Sequence, residues 1–402
     1  MKIGILRETK TPVDTRVPLT PEQCKMVQEE FPGMSVKVQP SSQRCFPDDL
    51  YRLAGITVSE DLSDCDILLG VKEVKTDELL AGKTYCIFSH TAKKQEHNRK
   101  LLKTIIEKKI SLIDYELLTD LKGIRIIGFG RWAGLVGAYH GIRAYGIRKG
   151  MNPLPLPHEV GSLQRMMQLS AGYSLPPVKI ALSGDGRVAG GAEEMLNVFG
   201  VQKISVDDFL QDRIYEQPVY VQLDPEKYNK HRSNSGFDLK HFFQNPHEYE
   251  TNFPRFCGLT DILIMAAYWD PRAPLLFEKE LMLKDDFRIR VIADITCDLN
   301  GSVPSTIQTT RFEDPYYDYS PVTGNAEIPF SSKNNITVMA IDNLPNGLPR
   351  EASADFGHNI MKSVLPLLLG NDPEKILERA TITRNGILTE YFNYLNSWVN
   401  QI

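Results

Sequence analysis

The chain has 402 residues, 42% hydrophobic and 24% charged, which suits two domains of ordinary size, each with its own core. A formal net charge of -5, with basic and acidic residues interleaved, leaves no electrostatic footprint for nucleic acid. No apolar run reaches the roughly 18 residues that a membrane span requires, so a small-molecule partner is the default expectation.

The N-terminus MKIGILRETK enters a strand pattern at once, with no charged leader and apolar h-region, so a cytoplasmic protein is expected. TPEQ then opens a helix with a capping box, Thr20 as N-cap, Pro21 at the first helical position and Gln23 closing back. VKVQ, PDDLYRLAG, DILLGV, YCIF, the long amphipathic KKQEHNRKLLKTIIEKK and ISLIDY continue an alternation of strands and helices. That alternation implies crossover units and a parallel sheet. From Gly128, GFGRWAGLVGAYHGIRAYGIRKG reads as a closely packed helix leading out of a first domain.

A second α/β pattern starts at VKIALSG and runs through KISVDD, TDILIMAA, RIRVIADIT and ITVMAID. The polar stretch between Phe209 and Leu259 lacks clear periodicity and reads as a functional loop or lid. The segment from EASADFGHNIMKS to the C-terminus reads as purely helical, contributing no strand. Six cysteines are scattered without C-x-x-C or zinc spacing, so reduced thiols and no metal are expected.

ALSGDGRVAGGAEEMLNVFG follows a strand and opens a helix, the context of a phosphate-binding glycine turn. Gly184 and Gly186 would make the tight turn, Ala189 and Gly191 would let helix pack on strand, and the helix N-terminus would face a pyrophosphate. Asp207, ending KISVDD about 20 residues later, would accept from ribose hydroxyls and favour NAD over NADP. Lys230, His231 and Arg232 keep NADP possible, and a helix-capping role for Asp207 stays open.

Functional residues of a parallel sheet gather at the carboxyl ends of its strands. Arg7 and Glu8 follow KIGIL, Lys72 and Glu73 follow DILLGV, and His90 follows YCIFS. Each has an ordinary structural reading. Together, a lysine and a histidine at one site would lower each other's pKa and trade protons with an amine.

These segments resemble a known superfamily. KIGILRETKTPVDTRVPLTPEQ is similar to the opening of the group containing alanine dehydrogenase, the transhydrogenase alpha subunit and lysine-forming saccharopine dehydrogenase. FSHTAKKQE and LIDYELLTDLKGIRIIGFGRWAG resemble the lysine-2-oxoglutarate reductase half of bifunctional aminoadipate semialdehyde synthase. ADITCDLNGSV and AIDNLPNGLPREAS resemble the same enzyme and fungal saccharopine dehydrogenase.

The resemblance implies an α/β protein with two Rossmann-like domains, each with a parallel sheet, around a central cleft. A dinucleotide domain (136–344) would be inserted into a catalytic domain (1–135 plus 345–402). It implies an NAD(P)-dependent oxidoreductase acting on the C–N bond of saccharopine, with an amino acid and a 2-oxo acid as partners. Lys72 and His90 match the acid/base pair, and Arg16 and Arg125 match carboxylate-holding arginines. Glu116 matches a site carboxylate, Glu73 agrees with the fungal and alanine dehydrogenase pattern but not with the animal reductase, and Asp298 and Asp342 fall where the family lines its nicotinamide end. Ala92 stands where fungal enzymes carry an aromatic, and Asp298 is followed by Leu-Asn-Gly rather than the Gly-Gly of alanine dehydrogenase. Two alternatives remain: alanine dehydrogenase-like amination of a small keto acid, which a second arginine at 125 argues against, and a transhydrogenase-like dinucleotide binder. Oligomeric state stays open.

Overall fold

The computed structural model describes residues 1–211 and 213–400. The fold is α/β, with two mostly parallel eight-stranded sheets. They lie in two compact units, Met1–Phe129 with the residues from Pro349 onward, and Gly130–Leu348. The second unit is therefore inserted into the chain of the first.

In the first unit, β1 (Lys2–Ile5), β2 (Ser35–Val38), β3 (Thr57–Val58), β4 (Ile67–Leu69), β5 (Thr84–Ile87) and β6 (Ser111–Asp114) lie in the order β6-β5-β4-β1-β2-β3, all parallel. Alternation divides their side chains between two faces. Ile3, Ile5, Val36, Val38 and Leu69 pack one core; Leu68, Tyr85, Ile87 and Leu112 pack the other. The first core is closed by the helix Pro21–Glu30, whose Thr20 hydroxyl accepts from the Gln23 amide while Gln23 Oε1 accepts from the Thr20 amide.

The expected long helix from Lys93 is broken. Thr91–Lys93 and Glu96–Asn98 form single 3₁₀ turns, and the α-helix is only Arg99–Glu107. The stretch KKQEHN carries no apolar face to bury, whereas Leu101, Leu102 and Ile105 do; each buried side chain contributes about 1.5–3 kcal/mol.

In the second unit, β7 (Lys179–Ser183), β8 (Gln202–Lys203), β9 (Val219–Leu223), β12 (Ile262–Met265), β13 (Val291–Asp294) and β16 (Ile336–Met339) pair in parallel, with β14 (Tyr317–Tyr319) and β15 (Ala326–Glu327) antiparallel at one edge. The order is β15-β14-β16-β13-β12-β7-β9-β8. The stretch expected to be a loop or lid thus contributes β9, a strand directly beside β7. Its apolar run VYVQL is short and hidden between polar flanks. The same stretch adds a separate antiparallel pair, β10 (Asn229–His231) with β11 (Tyr249–Thr251). The helix Gly130–Arg148 lies on β12 and β13, where Gly141 comes close to Ala293 and Ile262.

The chain returns to the first unit through the helix Pro349–Asn359. The expectation of a strandless ending is overturned, because β17 (Thr381–Arg384) pairs antiparallel with β6 and turns back into β18 (Ile387–Leu388). Asn385 and Gly386, at φ 50° and 78°, form the two-residue turn that matches strand twist. Among the described residues, no helix is long and apolar enough to cross a membrane.

Candidate active site and dinucleotide turn

The carboxyl ends of β1, β4, β5 and β6 carry the polar groups of the first unit. The Glu8 carboxyl, just past β1, accepts from the Val71 amide at 2.6 Å and the Lys72 amide at 2.8 Å, tying the end of β4 to β1. Burial, reinforced by the Asp14 charge, pushes Glu8 up to about 8. Asp14 lies in the loop that follows. Burial works against its charge, but Arg16 overrides this and holds the carboxyl at about 2.

Arg16 is 2% exposed and bonds Asp14 through Nε at 2.9 Å and Nη2 at 2.5 Å. Its guanidinium lies 4.0 Å from the centre of the Phe129 ring, which stacks on Phe356. Holding a substrate carboxylate therefore requires Arg16 to share or exchange its Asp14 bonds.

Lys72 is pushed below its usual pKa by burial first, then by the Arg16 and Lys10 charges. The sequence reading looked to His90 for this effect; the neighbours that produce it are cations on the β1 loop. His90 follows β5 by three residues and sits at φ 52°. Buried Asp114 at the end of β6 shapes that turn, accepting from the Ser89 amide and hydroxyl on one side and the Glu116 amide on the other. His90 Nδ1 lies 2.6 Å from Glu73 Oε1, and Lys10 is 3.3 Å from the other Glu73 oxygen. Burial alone would raise Glu73, but the His90 hydrogen bond and the His90 and Lys10 charges bring it down to about 2. A carboxylate that stays ionised accepts the Nδ1 proton, so it selects the tautomer that, when His90 gives up its other proton, has the lone pair at Nε2.

Glu116 is shared by two cations, Lys93 at 2.7 Å and Arg125, whose side chains are each about half exposed. Burial opposes its ionisation, while Arg125, Lys93 and His90 lower its pKa. Two cations around one carboxylate leave net positive charge on an accessible rim. Lys93, Lys10 and Asp114 had no assigned role in the sequence reading, because partners of theirs come from the ends of other strands; Asp14 had none either, although its partner Arg16 is two residues away.

In the second unit, Gly184 follows β7 at φ 94°, where a Cβ would stand 3.1 Å from the Ala266 backbone beyond β12. Gly186 caps the helix Arg187–Val198 and has nothing within 4 Å of a built Cβ, so the approach to the helix N-terminus is open. Ala189 is buried on that helix. Gly191 does not pack on the strand as expected. Its Cβ would come 2.0 Å from Arg131 O, and that of Gly134 1.9 Å from Val188 O, so both glycines serve the crossing of two helices.

Asp207 does not end a strand. Ser205 caps a short helix, Val206–Leu210, and Asp207 lies in its first turn, beyond the edge strand β8. The acid at the end of the strand beside β7 is Asp224, next to Leu223, whose carbonyl accepts from the Gly184 amide at 2.7 Å. Burial raises the Asp224 pKa, and its Oδ1 is buried with no hydrogen-bond partner among the described residues. An open glycine turn beside an orphaned carboxylate oxygen fits the phosphates and ribose of a dinucleotide. Asp298 and Asp342 follow the adjacent parallel strands β13 and β16, and their charges, with that of Asp294, push the Cys297 thiol up after burial. Asp294 accepts from Thr296, Cys297 and Thr306 and so frames the loop carrying Asp298.

Residues 4–136 match the family model described as alanine dehydrogenase/PNT, N-terminal domain. Over 98% of its length the chain is 29% identical to alpha-aminoadipic semialdehyde synthase of Arabidopsis thaliana and 27% identical to the mitochondrial protein of that name from Mus musculus, covering 41% and 47% of those proteins. The chain thus spans less than half the length of these relatives. It is 27% identical to the NAD(+), L-lysine-forming saccharopine dehydrogenase of Emericella nidulans, over 91% of this chain and 92% of that one. A solved L-alanine dehydrogenase shares the fold, with a TM-score of 0.65 at 17% identity, over 99% of this chain and all of that one.

Proposed function

We propose, for a chain similar in sequence to saccharopine dehydrogenases and aminoadipic semialdehyde synthases and in fold to alanine dehydrogenase, that it is an NAD-dependent oxidoreductase acting on the C–N bond of saccharopine or a close analogue. The carrying observation is the first-unit site: a lysine with a lowered pKa, a histidine with Nδ1 on an ionised glutamate, and a cationic rim at Glu116.

In the oxidative direction the substrate's secondary ammonium must lose a proton before its carbon gives up hydride, and Lys72, its pKa lowered by burial, takes that proton in its amine form. A bound nicotinamide supplies the hydride acceptor. Water then adds to the substrate imine while His90 Nε2 accepts its proton. Return of protons to nitrogen splits the carbinolamine into lysine and 2-oxoglutarate. Glu73 keeps His90 in the required tautomer and stabilises the imidazolium. Arg125 and Lys93 hold the glutarate carboxylates, with Arg16 sharing its Asp14 bonds. In the second unit, Gly184, Gly186 and Ala189 would shape the turn for the pyrophosphate, Asp224 would accept from the ribose, and Asp298 and Asp342 would stand at the nicotinamide end. A carboxylate at the ribose favours NAD over NADP.

The rim argues for a dicarboxylate over the small keto acid of an alanine dehydrogenase, and a pure dinucleotide binder has no use for Lys72 and His90. The test is Lys72→Met and His90→Asn, with NADH affinity and turnover measured separately. The reading expects NADH binding kept and turnover lost in both. Full turnover in a folded His90→Asn protein overturns the assignment.

A further inference from the structure

The stretch first read as a loop contains a cluster that the proposed chemistry does not use. His231 closes β10, Glu248 directly precedes β11, and His241 lies in the helix Leu239–Gln244, capped by Asp238, which accepts from the His241 amide at 2.6 Å. The antiparallel register sets His231 opposite Tyr249 and so brings Glu248 beside it. His231 Nε2 lies 3.3 Å and His241 Nε2 3.8 Å from the same Glu248 oxygen, and one ligand atom from each residue falls within 4.8 Å of the others. All three are partly buried.

The surrounding hydrogen bonds orient the rings. Tyr249, 1% exposed, donates its hydroxyl proton to Asp238 O at 3.2 Å, so the Tyr249 hydroxyl oxygen accepts from His241 Nδ1, also at 3.2 Å. In a neutral imidazole that leaves the lone pair on Nε2, 3.8 Å from a Glu248 oxygen, and either a proton or a metal cation between the two acceptors relieves their repulsion. His231 Nδ1 accepts from the Ser233 amide at 3.1 Å and lies 2.7 Å from the Ser233 hydroxyl, so ligation through Nε2 requires the Nδ1 proton to turn to that hydroxyl and displace the amide. The Tyr249 hydroxyl on His241, and the Ser233 hydroxyl once it replaces the amide on His231, are the outer acceptors that metal-bound imidazoles need. The edges of a tetrahedron with bonds of about 2.0–2.1 Å measure roughly 3.4 Å, so ligand atoms now within 4.8 Å of one another must draw together. A cavity of about 540 Å³, lined by Phe237, Asp238 and Lys240 as well as both histidines, adjoins the cluster.

We propose that His231, His241 and Glu248 form a binding site for a zinc-class divalent cation, with the remaining coordination position open to this cavity. Two imidazoles and one carboxylate suit zinc, whereas magnesium and calcium select oxygen sets. The site ties β10 and β11 to the adjacent helix and is independent of the dinucleotide and acid–base groups. None of the sequence spacings is a zinc motif, because His231 and Glu248 meet only through the β10–β11 register and His241 reaches them from the helix between those strands.

The test uses the full chain without an affinity tag, stripped by chelator and titrated calorimetrically with zinc chloride, with melting followed in parallel. The expected result is one zinc per chain and a raised Tm. His241→Ala and Glu248→Gln should lose at least about 10- to 100-fold in affinity, while Cys297→Ser and His90→Asn bind as the parent does. Glu248→Gln is nearly isosteric, and its unchanged melting without zinc separates lost ligation from lost folding. Absence of saturable uptake, or uptake unaltered in both ligand variants, overturns the proposal.

Discussion

Gly191→Ala distinguishes a packing glycine from a cofactor glycine. The added Cβ would stand 2.0 Å from the Arg131 carbonyl oxygen and 2.9 Å from Arg131 Cα, all backbone that no rotamer change can move. Contacts below 3.0 Å are essentially never seen, so the helices Gly130–Arg148 and Arg187–Val198 must part by about 1 Å. A gap of ~0.5–1 Å already forfeits a quarter to a half of the dispersion across it. Overpacking against rigid neighbours belongs at or above the top of the usual ~1–3 kcal/mol range. Alanine returns about 1 kcal/mol of helix propensity. The net loss is about 2–3 kcal/mol, read as a drop of ~5–10 °C in the second unit's melting. Gly186→Ala is the counterpart: it meets nothing within 4 Å, so melting should hold while NADH affinity, measured by fluorescence titration, falls roughly 10- to 100-fold through lost amide–phosphate bonds. Unchanged melting in Gly191→Ala would refute the helix-crossing argument.

Glu73→Gln removes the carboxylate on His90 Nδ1; losing a charged hydrogen bond of ~1.5–3 kcal/mol should cut kcat/KM about 10- to 100-fold, and an unchanged rate would remove Glu73 from the machinery. Asp224→Ser should weaken NADH more than NADPH while Asp207→Ala changes neither; the opposite pattern in direct binding would restore Asp207. Glu8, raised from 4.5 to about 8, favours folding in its protonated form. Its contribution is full below the unfolded pKa and is lost as pH rises through about 8, by at most ~5 kcal/mol. Glu8→Gln gives up one amide acceptor, about 1 kcal/mol, but not this dependence, so denaturation curves of the two proteins should cross between pH 5 and 8; parallel curves would contradict the burial argument.

The sequence shows what is local. Apolar runs ending in polar residues mark β1, β4 and β5, and a strand followed by Gly-Asp-Gly and a helix marks the turn at Gly184. What failed needed sheet order or packing partners. Asp207 satisfies the expected spacing, yet the strand laid beside β7 is β9, which brings Asp224 to the turn. Gly191 fits a glycine fingerprint, but its neighbour is a helix from upstream in the chain. Of the zinc proposal's ligands, His231 and Glu248 meet only through β10–β11 pairing, and His241 comes from the helix between the two strands. One miss was legible: TITRNGIL carries alternating β-branched residues and an Asn-Gly turn, the local signal of the hairpin formed by β17 and β18.

The most direct measurement is NADH oxidation by purified protein with lysine plus 2-oxoglutarate, set against pyruvate plus ammonia, each repeated with NADPH. The account predicts turnover with lysine and 2-oxoglutarate alone, faster with NADH. Turnover with pyruvate and ammonia would contradict it and reduce the Glu116 cation pair to a structural role.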